Sequence, residues 1–135
     1  MEISFTTEKD ELHNKELCFT SWEKQIEIVN AGLDIVTLTS LNEGTPVSLI
    51  EAQAANNIIV STDVGGISDI IIENKTGLLA DKNNYYDFAK QLKRVIEDKS
   101  LRNTMSDSGL EFVKNKFNYK RLVNDMSNLY KKLLV

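Results

Sequence analysis

Residues 40–66 read SLNEGTPVSLIEAQAANNIIVSTDVGG, and the order of residue types in this stretch decides how the rest of the chain is read. It follows LDIVTLTS, a run rich in β-branched residues whose positions 34–39 form the clearest predicted strand. The only proline of the chain, Pro46, stands just after that strand. Proline suits the first position of a helix, where its missing N–H has no intrahelical partner to lose. The stretch therefore predicts a helix from Pro46 to about Asn56, with Thr45 as its cap. Asn56 and Asn57 end it, because asparagine tolerates the left-handed conformation of a helix end. IIVST, at 58–62, then reads as a strand buried on both faces. Gly65 and Gly66 open a turn that leads into a short helix.

Working outward, EISFT alternates like a short strand, and Leu17–Thr20 is a second strand candidate. SWEKQIEIVNAG reads as a helix that Ser21 caps and Gly32 stops. On the other side, KTGLLA is a brief strand. Three amphipathic helices follow. The first places Tyr86, Phe88, Ala89, Leu92, Val95 and Ile96 on one face, starting at the paired Tyr85 and Tyr86. The second, with Ser100 as cap, places Leu101, Met105, Leu110 and Val113 together. The third aligns Leu122, Met126, Leu129 and Leu133. Strands alternating with helices imply a mostly parallel sheet covered on both sides, a three-layer α/β/α arrangement with trailing C-terminal helices.

Composition narrows the function classes. The chain has 135 residues, the length of one domain, with 41% hydrophobic and 27% charged residues. Its net charge of -4 lacks the basic footprint of a nucleic-acid binder. Cys18 is the single cysteine, which excludes an internal disulfide and a thiolate metal cluster. No apolar run approaches the ~20 residues that span a bilayer, and the acidic start MEISFTTEKDE is unlike a signal segment. The expected location is the cytoplasm.

In open parallel sheets, ligands bind outside the carboxyl ends of the strands. Glu43, Gly44 and Thr45 follow one such end, and Gly65 and Gly66 follow the next. The helix beginning at Pro46 aims its first N–H groups at that rim, an arrangement suited to phosphate. Gly44 lets the backbone approach the ligand. Glu51 lies ~7.5 Å along the helix axis from Pro46, about the distance from a diphosphate to its ribose. A carboxylate there accepts both vicinal hydroxyls, and Glu43 accepts hydroxyls on the other side of the phosphates. The spacing by itself leaves a second reading open, with Glu51 a solvated helix residue and Glu43 a turn residue.

The same residues resemble the donor-binding half of family 4 glycosyltransferases of the GT-B class. Glu43 and Glu51 match the family's Glu-x7-Glu signature, with Ser40, Gly44, Pro46, Ile50 and Ala52 in register. VGGISDII resembles its Val-Gly-Gly turn, NKTGLLAD follows as expected, and Phe117–Tyr119 stands at its Phe-Ser-Trp-like position. The resemblance covers about Leu17 to Leu134. It implies a Rossmann-like domain, one half of a GT-B fold, that transfers sugar from a nucleoside diphosphate donor with retention and without a metal or other cofactor. Carried over, Glu43 is the catalytic-site residue that contacts the donor sugar, and Glu51 holds the ribose. Backbone N–H groups of Thr45, Val47 and Ser48 face the diphosphate, beside Gly44, Pro46, Gly65 and Gly66.

The chain also departs from the family. The acceptor domain and the opening βα unit, with its arginine and lysine, have no counterpart in residues 1–135. The expectation is a single nucleotide-sugar-binding domain incomplete at its N-terminus, inactive or weak alone. A separate acceptor-domain polypeptide or self-association would complete it. The alternative is a non-catalytic remnant or partner subunit acting through protein contacts. Lys131 and Lys132, with KNKFNYKR before them, are read first as a solvated face and second as a weak contact with an anionic membrane surface. Lys75 is read chiefly as a surface residue, with a phosphate contact as the lesser reading. His13 is read as a surface residue, and Phe19 and Trp22 as packing residues.

Overall fold

The computed structural model describes residues 20–134. In chain order they form α1 (Ile26–Ala31), β1 (Ile35–Leu38), α2 (Val47–Ala54), β2 (Ile58–Thr62), a 3-10 turn at Gly65–Asp69 and β3 (Gly77–Ala80). Three helices complete them: α3 (Tyr85–Glu97), α4 (Lys99–Lys116) and α5 (Tyr119–Leu133). The strand expected at EISFT, most of the one expected at Leu17–Thr20, and His13, Cys18 and Phe19 lie outside the described residues.

The strands make a three-stranded parallel sheet in the order β1-β2-β3. Ile35 stands opposite Ile58, and Ile59 opposite Gly77. All five residues of β2 are buried, as a central parallel strand requires. Successive side chains then serve opposite faces. Ile59 packs with Leu49 and Ala52 of α2 and with Ile67, Ile70 and Leu79. Ile58 and Val60 pack with Leu78 and with Val95 and Met105 from α3 and α4. Each fully buried isoleucine or leucine contributes about 1.5–3 kcal/mol, so these two clusters hold the helices to the sheet. The fold is Rossmann-like, as expected.

Element ends follow side-chain chemistry, with some corrections. Asn56 ends α2 with φ +67°, in the left-handed region. The Asn57 amide donates to Asn30 O at 2.8 Å and ties down the end of α1. Thr45 is not the α2 cap. Pro46 itself is the N-cap, because its ψ of 105° is extended and leaves it half outside the helix. Ser21 does not cap α1 either: it has φ +59°, and α1 begins only after Gln25. α4 starts earlier than expected, since Asp98 accepts the Leu101 N–H at 2.9 Å and Ser100 falls inside the helix.

The apolar faces are narrower than the periodicity implies. On α3, Val95 is buried and Phe88 and Leu92 are half-buried, whereas Tyr86 and Ile96 are exposed. Trp22 is 88% exposed and is not a packing residue. α5 forms as expected but buries none of its residues.

Candidate functional site

Because β1 and β2 run parallel, their carboxyl ends, Leu38 and Thr62, lie on the same edge of the sheet. The segments leaving those ends touch through their backbones. The Gly66 N–H donates to Gly44 O at 3.1 Å, with Glu43 O at 3.3 Å. Gly65 has φ +52°, and a Cβ placed on it would stand 1.8 Å from Glu43 O. A Cβ on Gly66 would stand 2.4 Å from Gly44 O. No side chain fits between these loops, so both glycines are required by the approach itself.

Hydroxyls finish the attachment. Thr62 Oγ1 donates to Ser40 O at 2.7 Å, and Ser61 Oγ lies 3.1 Å from Leu38 O. Ser40 Oγ in turn donates to Glu43 Oε1 at 2.6 Å. The half-buried Glu43 carboxylate is therefore oriented from below by its own loop. Reading the sequence overlooked Ser61 and Thr62 as ties. Their signal was present, because a hydroxyl in a fully buried strand must find an acceptor.

α2 starts directly after this loop. Its N-cap Pro46 is buried, lacks an N–H, and provides no side-chain cap. Its carbonyl accepts the Leu49 N–H at 3.2 Å. The residues between, Val47 and Ser48, are exposed. Leu49, Ala52 and Gln53 face the core, so Glu51 shares the solvent side of α2 with Val47 and Ser48, four and three positions before it. The positive end of the α2 dipole thus lies between an oriented carboxylate at Glu43 and an exposed one at Glu51. Among the described residues, no ion pair includes either glutamate. The arrangement offers amide donors for an anion and carboxylate acceptors for hydroxyls on either side.

Of the residues singled out in the sequence, Glu43, Gly44, Gly65 and Gly66 come together at the rim. Thr45, Val47 and Ser48 follow directly at the start of α2, and Glu51 stands one turn along it. Lys75 does not join them. The turn at 72–76 leads into the amino end of β3, so Lys75 sits at the opposite edge of the sheet. There it lines a groove of about 430 Å³ with Ile72, Asp107, Glu111 and Phe112. No helix among the described residues is long and apolar enough to cross a membrane.

Comparison with known proteins matches residues 5–112 to the family model described as glycosyl transferases group 1. An uncharacterized glycosyltransferase of Methanocaldococcus jannaschii is 33% identical over 98 residues, covering 73% of this chain and 28% of that protein. The Escherichia coli UDP-Gal:alpha-D-GlcNAc-diphosphoundecaprenol alpha-1,3-galactosyltransferase is 27% identical over 134 residues, 99% of this chain and 34% of that protein. Among solved structures, sucrose-phosphate synthase from Thermosynechococcus elongatus superposes with a TM-score of 0.73 at 25% identity, over 79% of this chain and 27% of that one. The chain thus spans between 28% and 34% of the length of these two curated relatives.

Proposed function

The chain belongs to the group 1 glycosyl transferases, and from that premise we propose that it is a donor-binding domain, which receives a nucleoside diphosphate sugar at the rim formed by Glu43–Ser48 and Gly65–Gly66. The amides of Thr45, Val47 and Ser48 hold the diphosphate, assisted by the α2 dipole. Glu51 accepts the ribose hydroxyls, and Glu43, fixed by Ser40, accepts hydroxyls of the donor sugar. The observation that carries this reading is the backbone docking of Gly65 and Gly66 on Glu43 and Gly44, which fixes the loop ahead of an α2 start without a side-chain cap. The donor named for the E. coli relative, UDP-Gal, is of the same chemical class.

In the transfer, the bond from the anomeric carbon to the diphosphate oxygen breaks. A bond to an acceptor hydroxyl oxygen forms on the same face, and that hydroxyl's proton leaves with the diphosphate. This chain supplies the donor half. The acceptor is held opposite the rim by an acceptor domain or a separate polypeptide.

Thermal unfolding and calorimetric titration with UDP, GDP and ADP test the reading. A site filled to 100 times its dissociation constant adds about 2.7 kcal/mol. One of the nucleotides should raise the melting temperature at millimolar concentration, and Glu51→Ala should cut the effect to half or less. No shift with any of them, or equal shifts in wild type and Glu51→Ala, would defeat it.

A further inference from the structure

The core beneath the rim holds a side chain that apolar packing does not explain. Gln53 of α2 is fully buried, and its neighbours on the core side of the helix, Leu49 and Ala52, belong to the apolar cluster that includes Ile67 and Ile70. Its Nε2 donates to Ile70 O at 3.0 Å and lies 3.3 Å from Leu49 O. Its Oε1 has no hydrogen-bond donor among the described residues. α4 closes over that oxygen at Gly109, where an added Cβ would stand 3.2 Å from Oε1. A buried acceptor without a donor is costly, and a methionine of similar shape would avoid the cost. What glutamine adds is a directed bond. It runs from the helix that starts at the rim to the carbonyl just past the 3-10 turn that Gly65 and Gly66 begin.

We propose that Gln53 is a positioning residue for the donor site, a role that rests on the reading of that site given above. The glycine turn is held at both ends. At its start the Gly66 N–H meets Gly44 O at 3.1 Å. At its far end Gln53 holds Ile70 O, and Lys116 Nζ donates to Asp69 O from the end of α4. Among the described residues no backbone N–H donates to Ile70 O, so the Gln53 amide is what satisfies this buried carbonyl. The bond fixes the distance between α2 and the glycine turn, the two elements that frame the donor. Without it the turn is free to shift at its far end, and Gly65 and Gly66 lose their fixed distance from the amides of Val47 and Ser48.

The test is amide hydrogen exchange of the whole chain, read at Gly66, together with calorimetric titration of UDP, GDP and ADP. Gln53→Met keeps the volume and removes the bond. It should speed exchange at Gly66 by about three- to tenfold, and weaken the nucleotide that wild type binds by the same factor, the worth of one neutral hydrogen bond. Lys116→Met, at an exposed residue, should move both readouts in the same direction. Val95→Ala, in the cluster on the other face of the sheet, is the control. It should speed exchange in β2 through lower global stability and leave both readouts within about twofold of wild type. A purely structural role for Gln53 predicts that same pattern for Gln53→Met. Exchange at Gly66 equal to wild type in Gln53→Met overturns the proposal, and where that variant does not fold, equal exchange in Lys116→Met does. Faster exchange with undiminished nucleotide affinity overturns the role at the donor site. Faster exchange in a chain that binds none of the three nucleotides upholds the hold on the turn and defeats the donor reading instead.

Discussion

Gly65→Ala probes the contact on which the rim depends. The added Cβ would stand 1.8 Å from Glu43 O and 2.9 Å from Glu43 C, both backbone atoms that cannot rotate away. The residue would also keep φ near +52°, which costs a side chain about 1–2 kcal/mol. Relieving the clash means separating the loops and losing the Gly66 N–H bond to Gly44 O, about 0.5–1.5 kcal/mol more. The total is about 1.5–3.5 kcal/mol, which for a chain of this size lowers the melting temperature by roughly 10 °C. Gly44→Ala is the control. Its Cβ meets nothing within 4 Å, so stability should change by no more than about 0.5 kcal/mol. Nucleotide affinity should still fall in Gly44→Ala, because the added methyl crowds the phosphate side of the loop. Calorimetric unfolding and UDP titration of both variants separate the two effects. A Gly65→Ala protein that melts with wild type would show that the loops are not held together by this approach.

Glu51→Ala, at an exposed helix position, should leave unfolding unchanged within about 0.5 kcal/mol. It should weaken UDP binding about 10- to 100-fold by isothermal titration, the worth of a lost charged hydrogen bond. Thr62→Val removes the hydroxyl that holds Ser40 O and leaves that carbonyl without it; urea denaturation should show a loss of about 1–2 kcal/mol, with weaker UDP binding because Glu43 loses its fixed loop. Asn56→Ala places a less tolerant residue at φ +67° and should cost about 1 kcal/mol in the same assay, whereas Asn56→Gly should be neutral or better.

The parts of the fold that were legible in the sequence are those set by neighbours along the chain. Pro46 announced α2, Asn56 its end, and IIVST a strand with no solvent face. Caps were less legible. Asp98 and Ser100 both qualify as N-caps two residues apart, and only the chain path after α3 selects Asp98. Thr45 was displaced by the extended ψ of Pro46, which proline's ring does not restrict as it does φ. Contacts between distant segments were legible only as neighbourhood. The order of strands put Glu43 and Gly65 on one rim, but no local rule shows that their backbones touch. Lys75 is exposed, in line with its chief reading, and the lesser reading fails because nearness to Gly77 in sequence says nothing of which sheet edge it occupies. α5 shows the remaining gap: periodicity reveals that Leu122, Met126, Leu129 and Leu133 share a face, and not what covers it.

Amide chemical shifts of the isotope-labelled chain, followed during titration with UDP, bear most directly on the donor site. The shifts should concentrate at Glu43 to Ser48 apart from Pro46, at Glu51, and at Gly65 and Gly66, and Glu51→Ala should move their midpoint to about 10- to 100-fold higher UDP. An unperturbed spectrum at millimolar UDP, or changes confined to the groove around Ile72 and Glu111, would contradict a nucleotide site at the start of α2.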